Sequence, residues 1–194
     1  GIPMLSRATL LGQMMRNYRH ALAIAGTHGK TTTTSMVAEI LLAAGLDPTI
    51  SVGGILPSIG GNIRVGGQEL FVTEACEYTN SFLEFFPTMG VILNIEADHL
   101  DFFKDLEDIR HSFREFAKRI PGEGLLILDG AISCPEEITA GLACRVVTVG
   151  HGPGGDYGAK DITYDESACP SFTLMKKGVP WGRICLGVPG EHNV

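Results

Sequence analysis

Seven consecutive residues, Gly26-Thr27-His28-Gly29-Lys30-Thr31-Thr32, have the types and spacing to hold a phosphate chain. Glycine has no Cβ, so the backbone N–H groups of a glycine turn approach phosphate oxygens closely. Lys30 would add a compact positive charge for β- and γ-phosphates, and the Thr31 hydroxyl is placed to bind Mg2+. The alternative is a glycine turn followed by a chance Lys-Thr. The flanking residues decide between the two. Ala21–Ala25 is small, apolar and uncharged, as a buried strand requires, and an apolar helical pattern follows Lys30. A helix starting there turns its unpaired N–H groups and positive dipole end toward an anion. The loop departs from the strict G-x-x-x-x-G-K-[ST] spacing, because the first glycine would fall at Ile24.

A second set of reactive side chains follows two further apolar runs. Leu70–Thr73 reads as a strand ending in Glu74, with Glu77 beyond it as a solvated loop residue. Met89–Ile95 reads as another strand, running into Glu96-Ala97-Asp98-His99, with Asp101 farther on. Apolar runs separated by helical or loop segments predict parallel strands. Ligands bind at the carboxyl ends of such strands. Gly26–Thr31, Glu74 and Glu96–His99 are therefore expected on one edge. Carboxylates near a phosphate site suit Mg2+, which takes oxygen ligands and keeps several waters.

The remaining elements would position these residues. A helix is predicted over 6–18 with Ser6 as N-cap, preceded by a linker end at Gly1-Ile2-Pro3. The helix after the loop should run from about Lys30 to Ala44, stopped by Gly45 and Pro48. Thr49–Val52 is a short strand. The glycine pairs at 53–54, 60–61 and 66–67 mark either a flexible loop covering a site or a turn-rich hairpin. Asp105 caps a helix through Ile120, its apolar face formed by Leu106, Ile109, Phe113, Phe116, Ala117 and Ile120. Leu125–Leu128 is a strand, Pro135–Leu142 a short helix with Pro135 at its first position, and Arg145–Val149 a strand. His151–Asp156 breaks the α/β rhythm. Phe172–Lys176 and Trp181–Val188 read as a hairpin around Lys177-Gly178, and Pro189–Asn193 as the entry to another helix. The expected fold is α/β: a P-loop-type, mostly parallel sheet flanked by helices, with an appended antiparallel hairpin near the C-terminus.

Bulk properties narrow the function. The chain has 194 residues, 44% hydrophobic and 19% charged, which is a globular composition. A net charge of −7 argues against nucleic-acid and anionic-membrane partners. Phosphate must then be held by local donors and metal. The five cysteines show no C-x-x-C spacing, so reduced thiols are expected in a cytoplasmic protein. No membrane span and no signal peptide are visible. The sequence opens on Gly1 and stops at Val194 after a helix start, as an excised fragment would.

GTHGKTTTT at 26–34, the acidic strand end at Glu74, NIEADHLD at 94–101 and GEHN at 190–193 together resemble the central ATP-binding domain of the Mur ligases. Four motifs in order span nearly the whole chain. The opening GIPMLSRATLL resembles the link from the family's N-terminal domain. The resemblance implies residues 1–20 as linker and helix from a missing N-terminal domain. Residues 21–194 would be the central domain, truncated at its C-terminal end. Gly26, Thr27, His28, Gly29, Lys30, Thr31 and Thr32 would wrap ATP, with Lys30 on the γ-phosphate. Thr31 would bind a first Mg2+, Glu74 and His99 a second. Asn193 would read adenine as the first asparagine of G-x-H-N-x-x-N.

The implied reaction is bacterial and cytoplasmic: ATP-driven joining of L-alanine to the lactyl carboxylate of UDP-N-acetylmuramate, through an acyl phosphate, in peptidoglycan precursor synthesis. Lys30, Glu74 and His99 would carry it, with uridine and amino-acid contacts on missing N- and C-terminal domains. Such chemistry needs positioning and charge neutralisation more than a protein nucleophile. Two departures stand out. Glu74-Ala75-Cys76-Glu77-Tyr78-Thr79 replaces the usual E-A-D-E-S-D, putting Cys76 where an aspartate stands. Arg114 occupies the position of a lysine that several relatives carbamylate. Alternatives within the class are a ligase recycling murein tripeptide or a folylpolyglutamate synthase relative. Outside it stands a nucleotide-binding module without ligase activity, against which the missing guanine-reading N-K-x-D argues.

Overall fold

Strand β1 (His20–Ala25) is the axis of the first unit, and its small residues are the reason. Ala21, Ala23, Ile24 and Ala25 are fully buried, so β1 is covered on both faces, as a central parallel strand must be. The computed structural model describes residues 4–151 and 155–194. Gly1-Ile2-Pro3 and residues 152–154 of the break after Val149 lie outside them. The chain divides into two units, Gly1–Leu126 with Cys134–Arg145, and Ile127–Ser133 with Val146–Val194.

In the first unit, α1 (Arg7–Met15) starts at Ser6, whose hydroxyl accepts from the Thr9 N–H. Then come β1, α2 (Lys30–Ala43), β2 (Thr49–Leu56), β3 (Gly61–Arg64), β4 (Leu70–Glu74) and β5 (Met89–Ile92). These strands lie in the order β5-β1-β4-β2-β3. β1 pairs in parallel with β4, Ile24 facing Glu74, and with β5, Ala25 facing Ile92. β2 pairs in parallel with β4 and antiparallel with β3. The glycine-rich stretch is thus the hairpin of the two alternatives, and β2 runs four residues beyond Val52. β5 stops three residues short of Ile95, because Asn94 turns toward the loop after β1.

Helix α3 (Leu106–Ala117) is capped by Asp105, whose carboxylate accepts from the Asp108 N–H. Ile109, Phe113, Phe116, Ala117 and Ile120 are buried as its pattern requires, but Leu106 is exposed in the first turn. Gly90 in β5 admits this face: a Cβ there would lie 2.7 Å from the Ile120 side chain. Phe82, in the 3-10 turns of Tyr78–Glu84, stacks on Phe116 at 5.0 Å and meets Phe113 edge-on at 5.3 Å. α1 packs there too. Gly12 lies so close to the Glu84 carbonyl that any side chain would collide with it.

β6 (Leu125–Asp129) and β7 (Arg145–His151) each cross the division between units, and α4 (Glu136–Thr139) lies between them in sequence, in the first unit. The second unit adds β8 (Tyr157–Tyr164), β9 (Pro170–Lys176) and β10 (Val179–Cys185). β8 pairs in parallel with β7 and antiparallel with β9, which pairs antiparallel with β10. The Lys177-Gly178 turn has φ of +49° and +77°, as a two-residue hairpin of type I′ requires. β10 ends at Cys185, shorter than the sequence pattern, and β8 has no counterpart among the expected strands. Glu191–Asn193 forms a single 3-10 turn. No described helix is long and apolar enough to cross a membrane.

Phe82 is buried among aromatic rings, so Phe82→Ala should lower the free energy of unfolding by about 3–5 kcal/mol. Urea denaturation with a midpoint like that of the parent would contradict this packing.

Candidate active site

The parallel register carries the ends of β1, β4 and β5 to one edge, where the expected site residues lie. Gly26 leaves β1 with φ +148°, and a Cβ on it would strike the Leu93 side chain at 2.9 Å. Gly29, with φ +83°, is the N-cap of α2 and offers no side-chain hydrogen bond. Ser6 and Asp105 cap α1 and α3 with side chains; α2 has none, so its first N–H groups are left for an external acceptor. They open on a cavity of about 270 Å3 lined by Thr27, His28, Gly29, Lys30, Thr31 and Thr32.

The loop is held from the segment after β5. Asn94 accepts from the His28 N–H at 2.7 Å and donates to the His28 carbonyl at 3.1 Å. The Thr27 hydroxyl accepts from the Glu96 N–H at 2.9 Å. Asn94 was visible in the sequence only as part of the NIEADHLD motif; its clamp on the turn had no local signal.

Lys30 reaches back across its own loop. Its Nζ donates to the carbonyls of Gly26 at 2.6 Å and Thr27 at 3.1 Å, and to Glu77 at 2.9 Å. Glu77 is therefore no solvated loop residue: its side chain is only 2% exposed. It also faces His99, whose Nε2 lies 3.7 Å from Glu77 Oε1. The 3-10 turn beginning at Tyr78 tucks the Glu77 side chain inward.

Glu74 forms a separate pair. Its carboxylate accepts from the Thr31 hydroxyl at 3.1 Å and from the Gly53 N–H. A Cβ at Gly53 would sit 2.8 Å from Glu74 Oε2, so this glycine makes room for the carboxylate. The two expected metal ligands thus have different immediate neighbours: Glu74 has Thr31, and His99 has Glu77. Among the described residues, no three His, Cys, Asp or Glu side chains converge on one metal-sized position. This donor set suits Mg2+, which binds through one or two carboxylates together with phosphates and waters rather than in a protein cage.

His99 holds a left-handed backbone with φ +52°, and Thr79 and Asn80 do the same at +54° and +58°. Such conformations cost energy and cluster at functional sites. The Asn80 side-chain oxygen is buried without a partner. The departures from the family pattern lie apart from these contacts. Cys76 is exposed as a free thiol. Arg114 donates to the carbonyls of Glu137 and Ala140 beside α4. Asn193 lies in the second unit, its amide donating to the Pro189 carbonyl at 2.7 Å.

A glycine turn feeding an uncapped helix, a lysine beside it and acidic groups on the adjoining strand ends make a P-loop-like arrangement suited to an anion. Residues 24–194 match the family described as the Mur ligase middle domain, and the chain belongs to that family. Over 194 residues it is 61% identical to the UDP-N-acetylmuramate–L-alanine ligase of Agathobacter rectalis, covering all of this chain and 42% of that protein. The chain spans less than half the length of the curated relatives it matches. Among solved structures it resembles the UDP-N-acetylmuramate:L-alanyl-gamma-D-glutamyl-meso-diaminopimelate ligase of Neisseria meningitides, at 29% identity and TM-score 0.86, covering all of this chain and 63% of that one. It also resembles the UDP-N-acetylmuramate–alanine ligase of Thermotoga maritima, at 30% identity and TM-score 0.79, covering 96% of this chain and 40% of that one.

Removing the buried partner of a charge costs more than removing an exposed one. Glu77→Ala should destabilise the protein by about 3 kcal/mol by stranding Lys30, and Glu74→Ala by clearly less. Equal unfolding midpoints for the two variants would show that the Lys30–Glu77 pair is not the tie it is taken to be.

Proposed function

We propose that this chain is the ATP-binding part of a ligase that joins L-alanine to the lactyl carboxylate of UDP-N-acetylmuramate. The observation that carries the reading is 61% identity, over every residue of this chain, to a relative of that name. The phosphate cradle and its acidic surroundings support it.

Roles follow from the contacts. The N–H groups from Gly26 to Thr32 would receive the ATP phosphates, and Lys30 would meet the γ-phosphate. Asn193 would contact adenine. Thr31 would hold a first Mg2+, and Glu74 and His99 a second, with Glu77 beside His99. Bound Mg2+ would neutralise phosphate charge and align the reacting oxygens. The substrate carboxylate attacks the γ-phosphorus and ADP leaves, giving an acyl phosphate. The alanine amine then attacks the acyl carbon, and inorganic phosphate departs as the amide forms. Lys30 has a specific task in the first step: it offsets negative charge where Glu74, Glu77, Glu96 and Asp98 would otherwise repel the triphosphate.

Uridine and amino-acid contacts would come from N- and C-terminal domains flanking the central domain of residues 21–194, with residues 1–20 as the link, in a cytoplasmic protein. The test is amide formation from UDP-N-acetylmuramate, ATP and Mg2+. L-alanine and murein tripeptide are compared as amine and peptide substrates of the full-length protein. L-alanine should be consumed with stoichiometric phosphate release, while residues 1–194 alone should give no product. Turnover with the tripeptide only would assign the chain to a recycling ligase, and turnover by the 194-residue chain would remove the need for flanking domains.

A further inference from the structure

Tyr78 stands between the two halves of the site without belonging to either. It directly follows Glu77, and its ring lies on the His99 imidazole with centroids 4.6 Å apart and planes inclined by 35°. Its hydroxyl donates to Asp101 Oδ2 at 2.8 Å, beyond His99 on the loop after β5. Phe102 meets the same ring edge-on at 6.1 Å. The Tyr78 side chain therefore bridges the loop after β4 to the loop after β5, and His99 lies under the bridge.

The imidazole needs such a support. The His99 backbone is left-handed, its N–H donates to its neighbour Asp98 at 2.7 Å, and its carbonyl accepts from Phe102 and Phe103. These bonds fix the main chain and leave the ring to be set by what touches it. Glu77 Oε1 and Asp98 Oδ2 lie 3.7 and 3.9 Å from Nε2, too far for short hydrogen bonds, so neither fixes the ring plane. Tyr78 supplies a flat surface, anchored at its far end by Asp101.

We propose that Tyr78 is a positioning residue for this site: its ring, tied down by Asp101, sets the orientation in which His99 meets Mg2+. The proposal rests on the assignment of His99 to metal under the proposed function. Partners that orient a metal-ligating histidine commonly change metal affinity by about 10–100-fold when removed. Tyr78→Phe keeps the ring and loses the anchor; Tyr78→Ala loses both; Asp101→Ala keeps the ring and the phenol but loses their tie.

Two readouts test it in the full-length protein. In metal-free protein, NMR of the His99 ring protons should show the upfield displacement of a proton over an aromatic face. That displacement should shrink alike in Tyr78→Phe and Asp101→Ala, which lose the same hydrogen bond, and vanish in Tyr78→Ala. In the ligation assay, the Mg2+ concentration for half-maximal rate should rise about tenfold in Tyr78→Ala. It should rise less, and to a similar extent, in Asp101→Ala and Tyr78→Phe, with KM for L-alanine unchanged. Parent-like ring-proton shifts in Tyr78→Ala would overturn the ring contact. Altered shifts with a parent-like Mg2+ requirement would overturn the positioning role. Absence of L-alanine ligation by the parent would instead count against the proposed function; direct Mn2+ titration of parent and Tyr78→Ala would then decide the metal-positioning role, equal affinities overturning it.

Discussion

A buried carboxylate beside a lysine is the interaction on which this edge depends. Glu77 is almost wholly removed from water, and its charge is tolerable there because Lys30 lies 2.9 Å away. The pair joins the loop after β1 to the turn after β4, and through His99 it touches the loop after β5. This ion pair thus ties together two chain segments, with a third alongside at His99, and all three meet because their strands are parallel and in register. Lys30 is bound at the same time to two carbonyls of its own loop. The cation is held at the mouth of the cradle rather than left on a flexible stem.

Such convergence requires close approach, and glycine provides it at chosen points. Gly26 lets the chain turn past Leu93, and Gly53 leaves room for the Glu74 carboxylate beside Thr31. The same device operates away from the chemistry, where Gly90 admits Ile120 against β5 and Gly12 seats α1 on the Glu84 carbonyl. The scaffold behind the site is therefore tightly packed. Phe82, Phe113 and Phe116 form an aromatic contact that anchors the turn carrying Glu77 and Tyr78.

Much of this was legible in the sequence, and the reasons are local. The buried strand, the glycine turn and the helix starting at Lys30 were legible because each residue's part in them is set by its neighbours. The apolar strands around β1 and the caps Ser6 and Asp105 are likewise local signals. Glu77 was misjudged because its burial comes from a 3-10 turn with left-handed residues at Thr79 and Asn80, which no periodicity announces. The early end of β5 comes from a long-range bond, Asn94 to the His28 backbone. β8 was missed because its burial alternates poorly, with most of its residues partly or fully exposed. Local patterns placed the elements, and contacts distant in sequence decided which carboxylate faces which cation.

The central claim is that Lys30, held at this edge by Glu77, receives nucleotide phosphate. Calorimetric titration of a non-hydrolysable ATP analogue with Mg2+ into the full-length protein and its Lys30→Ala variant tests it directly. Loss of a charge-assisted contact that no neighbouring cation replaces should weaken binding by about 1.5–3 kcal/mol. Equal affinities for parent and variant would contradict the assignment of this edge to the phosphates.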